Sequence, residues 1–89
     1  MYSITKYSYD KAKEHDLIIK PSDRKQYKID VYDKKGGYIT SIGSKNYSDY
    51  PNYIQTHGID YANERRRLYY IRHAKDDNIK GHLAKLLLW

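Results

Sequence analysis

The stretch NYSDYPNYIQTHGIDYANERRRLYYIRH, residues 46–73, organises the rest of the chain. It holds six of the twelve tyrosines and four of the five arginines in an 89-residue sequence. Its second part has residues at helical spacing, which predicts a helix from about Ile59 to Ala74. Tyr61, Leu68 and Ile71 fall on one stripe of that helix, and we expect this stripe to pack on the core.

The first part of the same stretch, residues 47–51, reads YSDYP. Asp and Ser side chains bond to nearby backbone and proline restricts φ, so these residues predict a tight turn. The turn would join a preceding β-hairpin to the central helix. In that position Asp49 would anchor an arginine or the N-terminus of a helix.

The hairpin is predicted upstream, where Tyr27–Asp33 alternates between apolar and polar side chains. Gly36 and Gly37 follow, and glycine can adopt the positive φ that a hairpin turn needs. The return strand runs from Tyr38 to Ile42 and is expected to end at Gly43. Because an isolated hairpin is only marginally stable in water, other elements must cover its apolar face.

The two ends of the chain supply further elements. A short helix is predicted from Ser8, as its cap, to about Asp16, and Pro21 is expected to stop regular structure. Ile79–Leu88 predicts a short C-terminal helix, and its leucines together with Trp89 are expected to dock on the hairpin or on a partner.

We therefore predict one compact α+β domain over residues 1–89. A β-hairpin, with or without an edge strand from residues 1–7, is packed by the central Arg/Tyr-rich helix and the C-terminal helix. The predicted core residues are Ile18, Ile29, Val31, Ile42, Ile54, Tyr61, Leu68, Ile71, Leu83 and Leu87.

The composition favours an anionic partner. Seventeen Lys and Arg residues against eleven Asp and Glu residues give a formal net charge of +6, which suits nucleic acid or an acidic protein surface, although it also simply favours solubility. No apolar run approaches the roughly 20 residues of a membrane span, and the first residues lack the apolar core of a signal peptide. With no cysteine, a cytosolic or virion location is expected.

The clustered arginines and tyrosines are the candidate binding residues. On a helix, Arg65 lies above Arg72 and Arg66 above His73, so a phosphate backbone could meet two basic rows. Tyrosines beside them could stack on bases. Alternatively, Glu64, Asp49 and Asp60 pair with some of the arginines inside the molecule, and tyrosine rings stack beneath their guanidinium planes. The predicted nucleic-acid or partner-binding residues are Arg65, Arg66, Arg67, Arg72, His73, Tyr47, Tyr50, Tyr53, Tyr69 and Tyr70.

A catalytic or metal site is not indicated. His57, Asp60, Glu64 and His73 match no metal-ligand spacing, and there is no His-x-x-x-His motif and no cysteine pair. We therefore predict that the protein is not an enzyme and uses no metal or cofactor. No small-molecule substrate is evident, and no membrane association is predicted.

Five short segments, Ser41–Gly43, Tyr47–Tyr50, Arg65–Tyr69, Ile71–His73 and Leu87–Trp89, resemble an uncharacterised family. It is a domain of unknown function associated with large DNA viruses and tailed bacteriophages. The resemblance covers the C-terminal half of the chain, although the residues before the Leu-Trp end are less aromatic here than is usual in the family. It implies a viral source and no particular activity.

Three functional hypotheses follow from these residues and this resemblance. The first is a small basic viral accessory protein that acts as a binding module, with nucleic acid as the leading partner. The second is a minor structural protein of the virion or of another assembly. The third is a host-takeover factor that inhibits a host nucleic-acid enzyme by binding its acidic face. All three predict a location in the host cytoplasm or the virion.

Overall fold

A computed structural model describes residues 2–45, 47–75 and 78–89. The fold is α+β, as predicted, with a three-stranded antiparallel sheet in the order β1-β2-β3. In chain order the elements are α1 (Lys6–Glu14), β1 (Leu17–Pro21), β2 (Tyr27–Asp33), β3 (Tyr38–Ser44), α2 (Tyr50–His57), α3 (Ile59–Arg72) and α4 (Ile79–Leu88).

The predicted hairpin is confirmed as β2 and β3, with Ile29 paired to Ile42 in the antiparallel register. The Asp33 carboxylate closes the turn because it accepts hydrogen bonds from the backbone N–H groups of Lys35 and Gly37, at 2.9 and 2.8 Å. Local turn chemistry was therefore sufficient to predict this element.

Strand β3 does not end at Gly43 as predicted, but continues to Ser44. Gly43 has a φ of +78°, which a residue without a Cβ adopts at little cost. A Cβ at this position would also lie 2.7 Å from the Leu88 side chain. The glycine thus lets α4 approach the strand closely instead of terminating it.

The third strand comes from Leu17–Pro21. In the predicted edge strand, residues 1–7, residues 2–5 precede α1, which begins at Lys6, and Met1 lies outside the described residues. Leu17 pairs with Asp33 and Pro21 with Ile29. Proline is tolerated there because β1 is an edge strand. Because side chains alternate between the two faces of a strand, Ile19 is inside and 6% exposed, whereas Ile18, a predicted core residue, is 39% exposed.

Helix α1 begins three residues earlier than predicted. Thr5, not Ser8, is the N-cap, and its side chain accepts the Ser8 backbone N–H. The Ser8 hydroxyl is buried and donates a hydrogen bond to the Leu87 carbonyl oxygen at 2.5 Å. Ser8 therefore connects α1 to α4 instead of starting a helix.

Helix α2 occupies residues for which a turn was predicted. Asp49 is its N-cap and accepts the Asn52 backbone N–H at 3.2 Å, while Pro51 lies in the first turn, where proline is favoured. The expectation that Asp49 anchors a helix N-terminus is confirmed, but the helix is α2 and not the longer α3.

The hydrophobic core lies between the sheet and helices α1 and α4, while α3 packs mainly against α2. For this reason the predicted apolar stripe of α3 is wrong: Tyr61 and Ile71 are 44% and 62% exposed, and Ala62 is buried instead. Leu68 is half-buried and Ile54 packs on the edge of the core. The predictions for Ile29, Val31, Ile42, Leu83 and Leu87 are confirmed.

Candidate functional site

A concave pocket of about 490 Å³ opens between β3, the segment at Tyr47 and Ser48, α3 and the first turn of α4. Its charged and aromatic lining comes from β2, the segment at Tyr47, α2, α3, and α4 with the residue after it. Those lining residues are Lys28, Tyr47, Tyr53, Arg65, Tyr69, Arg72, His73, Lys80 and Trp89.

Helix α3 contributes one face to the pocket. Arg65, Tyr69, Arg72 and His73 line it, and their spacing of four, three and one residues places them on adjacent turns of one side. With Tyr47 and Tyr53, six of the ten residues predicted to bind a partner therefore meet in a single site.

The other four predicted residues lie outside this pocket. The Arg66 guanidinium carbon is 4.8 Å from the Tyr50 ring centroid and 5.7 Å from that of Tyr70. Tyr50 is only 8% exposed. Arg67 forms an ion pair with Glu64 on the surface of α3. The intramolecular alternative considered from the sequence thus applies to Arg66 and Arg67, and only Arg67 is paired with a carboxylate.

Aromatic side chains form a continuous row along the pocket. The Tyr69 and Trp89 rings stack with centroids 4.3 Å apart and planes 10° apart. Trp89 also contacts Tyr53, at 6.1 Å between centroids, and Tyr53 contacts Tyr61 at 5.5 Å. Trp89 therefore docks on α2 and α3, whereas Leu88 of α4 lies against Gly43 of the hairpin, as expected for the terminal leucines.

Tyr47 differs from the other rings because it lies at the rim. It is 72% exposed, more than any other large hydrophobic side chain in the described part of the chain. Its backbone N–H donates to the Ser44 carbonyl oxygen at 3.2 Å, which holds the short segment after β3 in place.

Two lysines in the pocket were not predicted. Lys28 is only 4% exposed, and its Nζ donates to Asp49 Oδ2 at 3.0 Å, so its charge is balanced. Lys80 donates to the Tyr27 hydroxyl at 2.8 Å and lowers the pKa of that phenol. Strand alternation predicted a solvent-facing Lys28, and no local pattern singles out Lys80.

Two arginines have donor capacity that internal partners do not use. The Arg65 Nε is buried and has no hydrogen-bond partner, although the guanidinium lies over the Tyr53 ring at 5.8 Å. Arg72 is exposed, and no hydrogen bond or ion pair joins it to another residue in the ranges that the structure describes. The Nε itself is out of reach of solvent, so a ligand in the pocket would contact the rest of the half-buried Arg65 guanidinium.

The pocket is strongly cationic, since no Asp or Glu is among the described residues that line it. The start of α4 adds the positive partial charge of a helix N-terminus. Within residues 2–45, 47–75 and 78–89, no group of three or more His, Asp or Glu could hold a metal ion. This arrangement can bind anionic and aromatic groups together.

None of the helices in the described ranges combines the length and the apolar character needed to cross a membrane. No family model, no curated protein and no solved structure matches this chain. The viral resemblance consequently stays a prediction, and the role of the pocket has to be argued from its own chemistry.

Proposed function

We propose that this chain is a small, basic, non-enzymatic binding module that binds nucleic acid in the pocket. The proposal rests on one observation. Cationic side chains and aromatic rings converge on a single concave site of about 490 Å³, and no described carboxylate side chain lines it. The viral source is a separate prediction, because it depends on the resemblance alone.

The two kinds of side chain match the two parts of a nucleotide. Arg72 and Lys80 offer charged donors to phosphate oxygens, and arginine can bind them in a bidentate manner. Aromatic rings stack on bases without requiring a particular sequence. A ligand with phosphates alone would use only the cations of the lining, and a ligand with aromatic rings alone would use only its rings, whereas a nucleotide uses both.

The charge of the pocket sets the size of the expected salt dependence. Lys28 is neutralised by Asp49, so Arg65, Arg72 and Lys80 are the cations that can displace counterions from phosphates. Three such contacts predict a slope of log affinity against log salt of about −2 to −3. Affinity should then fall roughly 20- to 40-fold between about 50 and 200 mM salt.

A salt titration with labelled DNA and RNA oligonucleotides, followed by fluorescence anisotropy, tests the proposal. Arg72→Gln should weaken binding and reduce the salt slope by about 0.7 to 0.9. Arg67→Gln is the matched control, because Arg67 lies on the same helix, outside the pocket, and is paired with Glu64. Equal losses for both variants would assign binding to net charge instead of the pocket. No binding of any oligonucleotide at low salt would end the proposal.

A second candidate function, a subunit of an assembly, is favoured by one observation. Helix α3 exposes Ile59, Tyr61 and Ile71, which are 50%, 44% and 62% accessible, and a protein partner could cover such apolar side chains. Sedimentation velocity over a wide concentration range tests it. Self-association that Ile71→Glu abolishes would support this function, and a monomer at all concentrations would count against a homomeric assembly.

A further inference from the structure

We propose that the pocket selects single-stranded nucleic acid by taking in one unpaired nucleotide. This inference rests on the proposed function and specifies which form of nucleic acid binds. The base enters beside Tyr47 and Arg65, while Arg72 and Lys80 bind the neighbouring phosphates.

The shape of the site excludes a duplex from this mode of binding. A cavity of about 490 Å³ is in the range of roughly 300–1,000 Å³ that is typical of sites enclosing a small ligand. A duplex keeps its bases paired and stacked inside, with phosphates on its surface. An unpaired strand can turn a base outward and insert it into a pocket.

Tyr47 provides the stacking surface. Among the described aromatic residues no ring packs against Tyr47, whereas Tyr69 already stacks on Trp89. Its ring is 72% exposed at the rim, so a base can cover it without displacing a protein group. The backbone hydrogen bond to Ser44 holds the residue at this place.

Arg65 provides the polar contact inside the pocket. Its Nε is buried without a hydrogen-bond partner, and the guanidinium is held over Tyr53. Every nucleobase and phosphate offers an acceptor to such a donor. Because the Nε is shielded from solvent, the remaining guanidinium nitrogens of Arg65 are the donors that a nucleotide in the site would meet.

Arg72 and Lys80 complete the arrangement at the mouth of the pocket. Both side chains are exposed and both line the site. They come from α3 and α4, two of the elements that line the pocket. A strand that passes between them brings its phosphates to the cations and leaves one base to point inward.

The chain contains its own reporter for this test. Trp89 is the only tryptophan and lines the pocket, so its fluorescence should change when the site is occupied. The probes are a deoxythymidine oligonucleotide, the matching uridine oligonucleotide, a DNA duplex of equal length and inorganic polyphosphate. Both single strands should alter Trp89 fluorescence and bind at least about tenfold more tightly than the duplex or polyphosphate.

Substitution of Tyr47 isolates the stacking step. Tyr47→Ala should weaken single-strand binding roughly 5- to 150-fold, and Tyr47→Phe should restore it because the ring is retained. Tyr9→Ala is the control, since Tyr9 is an exposed tyrosine on α1 outside the pocket. Far-UV circular dichroism should show all three variants folded, because both positions are exposed.

Two results would overturn the inference in different ways. If the duplex or polyphosphate binds as tightly as the single strands and Trp89 fluorescence does not change, selection of an unpaired nucleotide is wrong while nucleic-acid binding survives. If Tyr47→Ala binds like Tyr9→Ala, the stacking role is wrong. Failure of all oligonucleotides to bind at low salt would instead reject the proposed function itself.

Discussion

The Trp89 ring stacks on the Tyr69 ring with centroids 4.3 Å apart and planes 10° apart. This contact joins the residue after α4 to α3, and the Tyr70 hydroxyl on α3 also donates to the Lys85 carbonyl oxygen on α4 at 3.4 Å. It also forms one side of the candidate pocket. A single aromatic pair therefore contributes both to the stability of the domain and to the shape of its binding site.

We expect Trp89→Ala to lower the free energy of unfolding by about 3–5 kcal/mol. Trp89 is 9% exposed, and its removal leaves a cavity beside Tyr53 and Tyr69. Urea unfolding followed by far-UV circular dichroism measures the loss, because the tryptophan signal is absent in the variant. Tyr9→Ala, at an exposed site, should stay within about 0.5 kcal/mol of the wild type. A loss below about 1 kcal/mol for Trp89→Ala would contradict its structural role.

Removal of the Asp49 carboxylate should be more damaging than removal of the Lys28 ammonium. Both side chains are buried and bonded to each other at 3.0 Å. In Asp49→Ala, Lys28 loses its one carboxylate partner in the described chain, and the N-cap of α2 is lost as well, at a cost of about 3–5 kcal/mol. In Lys28→Met, the carboxylate keeps hydrogen bonds from the Tyr2 hydroxyl and from Asn52.

Chemical denaturation of these two variants and of the double variant measures the difference. We expect the double variant to be more stable than Asp49→Ala, because it no longer buries an unpaired ammonium group. Equal losses for the two single variants, or a larger loss for Lys28→Met, would show that Asp49 is not the centre of this network.

Adjacent arginines on α3 should differ in their contribution to stability. Arg66 lies between the rings of Tyr50 and Tyr70, and two partly desolvated cation–π contacts predict a loss of about 1–2 kcal/mol in Arg66→Ala. Arg67 and Glu64 form an exposed pair three residues apart on a helix, and such a pair adds little to stability. Thermal and urea unfolding of both variants test this order, and the reverse order would refute it.

The alkaline stability of the fold should depend on Tyr2. Burial and the hydrogen bond to Asp49 raise the pKa of the Tyr2 phenol above its usual value. The folded protein therefore keeps this proton at a pH where the unfolded chain has lost it. The stabilisation is fully present below the unfolded pKa, near 10, and is lost as pH rises above it.

The measurement is the free energy of unfolding of wild type and Tyr2→Phe between neutral and strongly alkaline pH. Above about pH 10 the wild type should lose up to about 1.4 kcal/mol per pH unit more than Tyr2→Phe, and less where water screens the carboxylate. Tyr27→Phe is a control for which the opposite pH dependence is expected. Because the hydrogen bond from Lys80 lowers the pKa of Tyr27, the wild type should gain stability relative to Tyr27→Phe as pH rises toward the unfolded pKa. Parallel curves for wild type and Tyr2→Phe would contradict the assignment.

Elements with strong local signals were predicted correctly from the sequence. The β2–β3 hairpin has alternating residues and an Asp33 turn, and α4 matches its predicted bounds, with Asn78 as its cap. Strand β1 was missed because a short apolar run such as Leu17–Ile19 has no diagnostic period. Helix α2 was missed because eight residues rarely form a helix without tertiary contacts.

The candidate site was predictable only in part. The arginines and tyrosines of α3 were identified from their spacing, but the face that they present depends on α2 and Trp89, which lie against that helix. Lys28 and Lys80 are far apart in the sequence, and their approach to one pocket follows from the packing of α4 on β3. No pattern among the neighbours of either lysine in the sequence predicts that the two will lie at the same pocket.

The amino-acid sequence alone specified the α+β class, the hairpin, the basic charge and the clustering of arginine and tyrosine around α3, because these depend on composition and on neighbours within a few residues. Only the tertiary structure decided which arginines face the pocket and which lie against tyrosine rings. The physical reason is that α1 and α4 cover the sheet, so α3 packs on α2 and turns its expected apolar stripe toward solvent.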